Sequence, residues 1–282
     1  MAQYVSYAKG ETTEPMPLYI KPDRLISVEE AQSYMRDHYE GTDLDWRNDL
    51  GAGPFQCPYR WSPLTWTVDS IEYFNERPIA TQQTRFSFVA QMRSWLPNQI
   101  GGILWFGVDD AAQNVYYPVY CGNTSVAEEM RVGNGDLLTF SWNSAFWIHN
   151  WVSNMVYGKY SYMIKDVEKV QRKLEESFRQ QQPQIEKEAL QLYKKSETES
   201  IDYLTNYTNA QISNGISEWK KLGEYLLVKY IDGVVKKEEN DKFKRNPHGL
   251  PEFPSRPGYP EEYRRAVIRE TGDRYKVPET TK

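Results

Sequence analysis

Between Asn75 and Gly122 the chain reads NERPIATQQTRFSFVAQMRSWLPNQIGGILWFGVDDAAQNVYYPVYCG, a hydrophobic rhythm that predicts three successive β-strands. Along Thr81 to Arg93 the side chains alternate across the chain axis. Gln82, Thr84, Phe86, Phe88, Ala90 and Met92 point one way and are mostly apolar; Thr81, Gln83, Arg85, Ser87, Val89, Gln91 and Arg93 point the other and are nearly all polar. The next two runs, Ile103 to Val108 and Val115 to Tyr120, are apolar or aromatic on both faces, as strands covered on both sides are. A strand with one polar face beside two with none is expected to turn that face to a cleft rather than to bulk solvent. Thr81, Gln83, Ser87, Gln91 and Arg93 are therefore the first candidate binding residues.

The 282 residues suffice for one large domain or two ordinary ones. A formal charge of −5 and the lack of any Lys/Arg cluster give no reason to expect a nucleic-acid partner. No apolar run approaches the roughly 18–20 residues of a membrane span. The most apolar segment, Phe140 to Trp151, is interrupted by Ser141, Asn143, Ser144, His149 and Asn150, so a soluble chain with no membrane partner is expected. Cys57 and Cys121 show no CxxC spacing and are expected to be reduced thiols. His38, His149 and His248 form no metal-binding spacing, so no metal site is expected. The opening AQYVSYAKG lacks the basic and apolar regions of a signal peptide, which leaves the compartment unassigned.

Residues 1–134 are expected to hold the sheet, 135–235 a helical region packed on it, and 236–282 a proline-rich tail. Ser27 and Glu30 form a capping-box pattern for a helix reaching about Tyr39. GAGPFQCPYRW, Gly51 to Trp61, reads as an ordered loop packed over a core, and Leu64 to Ile71 as a short strand. Helices are expected over Leu137 to Tyr157 and Tyr160 to Gln182, with Pro183 as a stop or kink before a further helix to Lys195. Another is expected over Ser196 to Asp232, where Gly215 and Gly223 mark close helix contacts, and a short one near Glu261 to Glu270. The stripe along the long helices also suits self-association, so a homo-oligomer is a secondary expectation.

The stretch from Asn75 to Gly122, followed by GNGDLLTFSWNSAFWIHNWVSNMVYGKYSYMIKDV, resembles the cysteine dipeptidase family of N-terminal-nucleophile hydrolases. GAGPFQCPYRW and PGYPEEYRRAVIRETGDRY support the likeness, which matches the C-terminal portion of a family member. The resemblance implies an αββα sandwich that hydrolyses dipeptides with a cysteine exposed at the mature N-terminus. Removal of Met1 would expose Ala2, which carries no nucleophile, so the chain is read as the C-terminal part of such an enzyme, of fold class α+β, a partial αββα sandwich with a long-helix extension, and the resemblance implies no metal or organic cofactor. No catalytic residue is expected in this chain: an N-terminal segment that carries the nucleophile is the expected partner, and the chain alone is expected to be inactive.

A dipeptide carries a free amine and a free carboxylate close together. Arg93, or alternatively Arg60 in the CPYRW loop, is a candidate for a two-pronged grip on the carboxylate, and Asp109 or Asp110 for the ammonium. An internal hydrogen-bond network is the competing reading of the polar row. Two further alternatives are a non-catalytic scaffold or binding protein of the same fold, and a papain-like pairing of Cys57 or Cys121 with His149, which no spacing supports.

Overall fold

A computed structural model describes residues 4–75 and 77–278. Met1 and Ala2, on which the expectation about the mature terminus rests, lie outside the described residues. After a single turn, α1 (Val5–Ala8), comes the capped helix α2 (Val28–Tyr34). Its capping box is formed in full: Ser27 Oγ accepts from Glu30 N at 3.1 Å, and Glu30 accepts from Ser27 N at 2.9 Å. The helix ends at Tyr34 rather than Tyr39, because Asp37 Oδ1 accepts from Tyr39 N at 2.6 Å and Tyr39 turns left-handed at φ 61°.

The segment expected as one strand is a hairpin, β1 (Thr65–Val68) and β2 (Ile71–Phe74). Asp69 and Ser70 both have positive φ, which the tight two-residue hairpin turn demands. Every residue of both strands is exposed.

The central sheet is antiparallel, in the order β3 (Phe86–Met92), β4 (Gly102–Val108), β5 (Tyr117–Tyr120), with a one-turn helix α3 (Asn98–Gly101) between β3 and β4. Strand β3 starts later than its alternation suggested, since Thr84 N donates to Thr81 O at 3.1 Å and closes a turn there. Register puts Phe86, Phe88, Ala90 and Met92 opposite Val108, Phe106, Leu104 and Gly102 on one face. Ser87, Val89 and Gln91 stand opposite Gly107, Trp105 and Ile103 on the other, where Trp105 and Ile103 are buried.

Three helices follow: α4 (Ala145–Tyr157), α5 (Tyr160–Tyr193) and α6 (Glu197–Tyr230). Helix α4 begins eight residues later than Leu137. Gly133 and Gly135 have positive φ, Asp136 and Thr139 bond to each other through their backbones, and Ser144 supplies the N-cap for Trp147 N. Helix α5 runs through Pro183 without ending, so the expected stop is not made. The cost of a proline in a helix interior is outweighed here by the long contact between α5 and α6, which shares one hydrophobic core with the sheet. Gly223 lies at the expected close helix contact, where a Cβ would fall 2.2 Å from the Trp151 ring of α4; Gly215 lies instead against the sheet, where a Cβ would fall 2.4 Å from the Tyr117 ring of β5. The tail carries β6 (Glu238–Glu239), β7 (Lys242–Phe243) and α7 (Glu261–Thr271). The fold is α+β. No helix among the described residues is long and apolar enough to cross a membrane.

Candidate functional site

Among the described residues, Ser87, Gln91 and Arg93 of the polar row turn into the fold and not to an open cleft. Ser87 Oγ lies 2.8 Å from Tyr116 OH and accepts from Asn114 Nδ2 at 3.2 Å. Gln91 Oε1 accepts from Trp105 Nε1 at 3.1 Å. Arg93 reaches α5, donating from both terminal nitrogens to the two carboxylate oxygens of Glu186, and also donates to the carbonyls of Gly101 and Ile100. A buried guanidinium or hydroxyl needs a partner for every hydrogen it takes out of water, and here the partners come from within the fold. The row fastens the sheet to α5 and to the loop before β5, which corrects the expectation of a cleft along this face.

Three other sequence candidates do come together. Thr81, Gln83 and Arg60 line one recess of about 10 Å³ with Trp46, Tyr59, Leu64, Arg77, Pro78 and Gln82. Gln82 Nε2 donates to Arg60 O at 2.8 Å, and Gln83 Nε2 to Ser62 Oγ at 3.4 Å. Arg60 itself is fully engaged, with the Asp49 carboxylate and Trp46 O each at 2.6 Å and the carbonyls of Cys57 and Tyr59 close by. Arg77 is different: its guanidinium has no hydrogen bond or ion pair among the described residues and stands exposed at the rim. Sequence reasoning missed Arg77, although it sits inside the stretch that carries the family likeness.

Asp109 and Asp110 lie at the end of β4 on the helix side, both buried. Asp110 accepts from Ala112 N at 3.0 Å, Tyr157 OH at 2.9 Å and Gln113 Nε2 at 3.1 Å. Asp109 turns left-handed at φ 67° and accepts from Asn150 Nδ2 of α4 at 3.0 Å. Burial pushes its carboxyl up to about 7, with Asn150 opposing the shift and the neighbouring Asp110 adding to it. Burial raises Asp110 as well, against the donation from tyrosines.

His149 is wholly buried, packed against Trp219 at 4.8 Å between ring centres and within 3.5 Å of Tyr117 OH. Burial lowers its pKa to about 3, so the ring is neutral. No hydrogen bond joins it to Cys57 or Cys121 among the described residues, and burial raises the Cys57 thiol, the reverse of what a nucleophile needs.

A family model for peptidase family C69 matches residues 2–173, more than half of the chain. The chain belongs to peptidase family C69. A probable dipeptidase of Salmonella dublin is 28% identical to it over 109 residues, which make up 39% of this chain and 21% of that protein. The match thus spans about a fifth of the length of this C69 member's curated relative.

Proposed function

We propose that this chain is the part of a cysteine dipeptidase that builds one half of an N-terminal-nucleophile sandwich, the attacking thiol belonging to polypeptide outside it. The uncovered face of the central sheet carries the reading. Phe86, Phe88 and Met92 are 56%, 48% and 72% exposed, and Leu104, Phe106 and Val119 beside them are only partly covered. A sheet buries both apolar faces in a stable domain, and helices already cover one of these. A second sheet laid about 10 Å away would cover the other and complete a sandwich.

In such an enzyme the terminal α-amine, with an ordinary pKa near 8, takes the proton of the thiol, and the thiolate attacks the peptide carbonyl. Donors fixed around the developing oxyanion stabilise it. On this chain the substrate contacts fall to the rim of the recess: Thr81 and Gln83 as hydrogen-bonding groups, with the Arg77 guanidinium, unpaired among the described residues, gripping the dipeptide carboxylate. Ser87, Gln91 and Arg93 hold the strand behind them, and Arg60 holds the loop. Asp109, under α4, shapes the end of β4 and does not border the recess.

The test is complementation. A nucleophile-bearing N-terminal polypeptide of the family, supplied in cis or in trans, should restore dipeptide hydrolysis that thiol reagents abolish. Cys57→Ser and Cys121→Ser should leave that hydrolysis intact. A well-folded complex without activity would favour a scaffold of the same fold.

A further inference from the structure

The hairpin β1–β2 stands in solvent, yet one of its two faces is wholly apolar. Register pairs Trp66 with Tyr73 and Val68 with Ile71, and strand alternation puts these four side chains on one face. The Trp66 and Tyr73 rings stack, with centres 6.3 Å apart and planes within 19°. Thr65, Thr67, Glu72 and Phe74 share the opposite face. A two-stranded hairpin is marginal in water unless something packs against it. Here the four apolar side chains remain between 41% and 56% exposed.

The hairpin rises from the rim of the recess. Leu64, just before β1, and Arg77, soon after β2, both line it. Asn75 N donates to Leu64 O at 2.8 Å, which adds one rung to the ladder below Thr65 and Phe74. Alternation carried to that rung sets Leu64 on the side of Trp66 and Val68. Leu64 is itself part of the recess wall, so the apolar face continues that wall away from the fold. The recess measures about 10 Å³, room for about one water molecule. A dipeptide held by its carboxylate at Arg77 must therefore place its side chains outside the recess, where the hairpin stands.

We propose, on the reading of the chain as part of a dipeptidase, that the face of Trp66, Val68, Ile71 and Tyr73 is its side-chain subsite and selects dipeptides with a large apolar side chain. Such a ligand carries two chemistries, and the hairpin and its root present one group for each. The carboxylate meets the guanidinium of Arg77, which has no ion pair among the described residues. The apolar side chain meets the stacked rings and covers surface that is otherwise wet. A glycine-only dipeptide uses the first contact and leaves the second unmade.

The first measurement uses the enzyme restored by a nucleophile-bearing polypeptide and compares leucyl-leucine with glycylglycine. kcat/KM should favour leucyl-leucine. Trp66→Ser or Tyr73→Ser should lower it for that substrate about tenfold, chiefly through KM, while glycylglycine changes less than about twofold. Trp66→Phe should keep the preference, and Thr67→Ala, on the opposite face, should change neither substrate. An equal loss on both substrates would overturn the subsite and give the face to the nucleophile-bearing polypeptide; so would no loss on either. The second measurement needs no turnover: NMR titration of the whole chain alone with each dipeptide. Leucyl-leucine should bind more tightly, and Trp66→Ser should remove the difference. The kinetic comparison decides where hydrolysis is restored, and the titration decides where it is not. A leucyl preference in the titration without restored hydrolysis would keep the subsite and defeat the dipeptidase reading. Restored hydrolysis with no leucyl preference would do the reverse, and failure of both would remove both.

Discussion

Arg93 and Glu186 meet in a two-pronged ion pair, each terminal guanidinium nitrogen 2.7 Å from a different carboxylate oxygen, and so join the end of β3 to the C-terminal part of α5. Both side chains are nearly buried. Removing one partner strands the other charge in a place without water. Glu186→Ala or Arg93→Ala should therefore cost about 3–5 kcal/mol of stability in urea unfolding. The pair Arg93→Met with Glu186→Leu should recover most of that loss, since neither charge is then left alone. A single change costing less than about 1 kcal/mol would mean that the pair is solvated and holds nothing.

Asp109 and His149 should pull stability in opposite directions as pH changes. The Asp109 carboxyl, raised from 3.8 to about 7, keeps in the folded state a proton that the unfolded chain loses. Its contribution is full below about 4, fades as pH rises through 7, and is gone above. His149, lowered from 6.5 to about 3, is neutral when folded and protonated when unfolded, so its contribution is lost as pH falls from 6.5 towards 3. Asp110 on the same loop, Tyr157 on α4, Tyr59 and His38 beside Asp110, and Tyr117 beside His149 also face these two groups. In buffers of constant ionic strength the two slopes should nearly cancel between pH 4 and 6.5. Asp109→Asn should expose a rise in stability with pH over that window, and His149→Gln a fall. Parallel profiles for the two variants would contradict both assignments.

The open sheet face should respond to charge only when a partner is present. Phe88→Glu places a carboxylate among side chains already half in water, so unfolding of the chain alone should change by less than about 1 kcal/mol. The same change should weaken complementation by a nucleophile-bearing polypeptide at least tenfold, because a lone charge would then be buried between two sheets. Titrating restored hydrolysis against partner concentration reads this directly.

Gly223 and Gly158 should answer differently to the same added methyl. At Gly223 the Cβ would lie 2.2 Å from the Trp151 ring, forcing α4 and α6 apart at a cost of about 1–3 kcal/mol. At Gly158 the nearest atom is 3.6 Å away and φ is −74°, so alanine fits and should stabilise by about 0.4–1 kcal/mol. Thermal unfolding of Gly223→Ala and Gly158→Ala checks the contrast.

Local rules alone determined a good deal here. The alternation around Phe86 to Met92, the capping box at Ser27 and Glu30, the stripe along α5 and α6, and the close approach at Gly215 and Gly223 are all written in residue spacing. So is the motif that carries the family. Only the tertiary structure decided which face of β3 is covered. Period-two alternation separates two faces without saying what lies against either, and Glu186, which takes the Arg93 charge, is 93 residues away in sequence. The same holds for Asp109, whose pKa follows from burial beneath a helix that begins 36 residues later, and for Pro183, whose local penalty is overridden by packing along the neighbouring helix. Periodicity arises from bonded neighbours. Burial and charge pairing arise from contacts between segments far apart in the chain, and those exist only once it has folded.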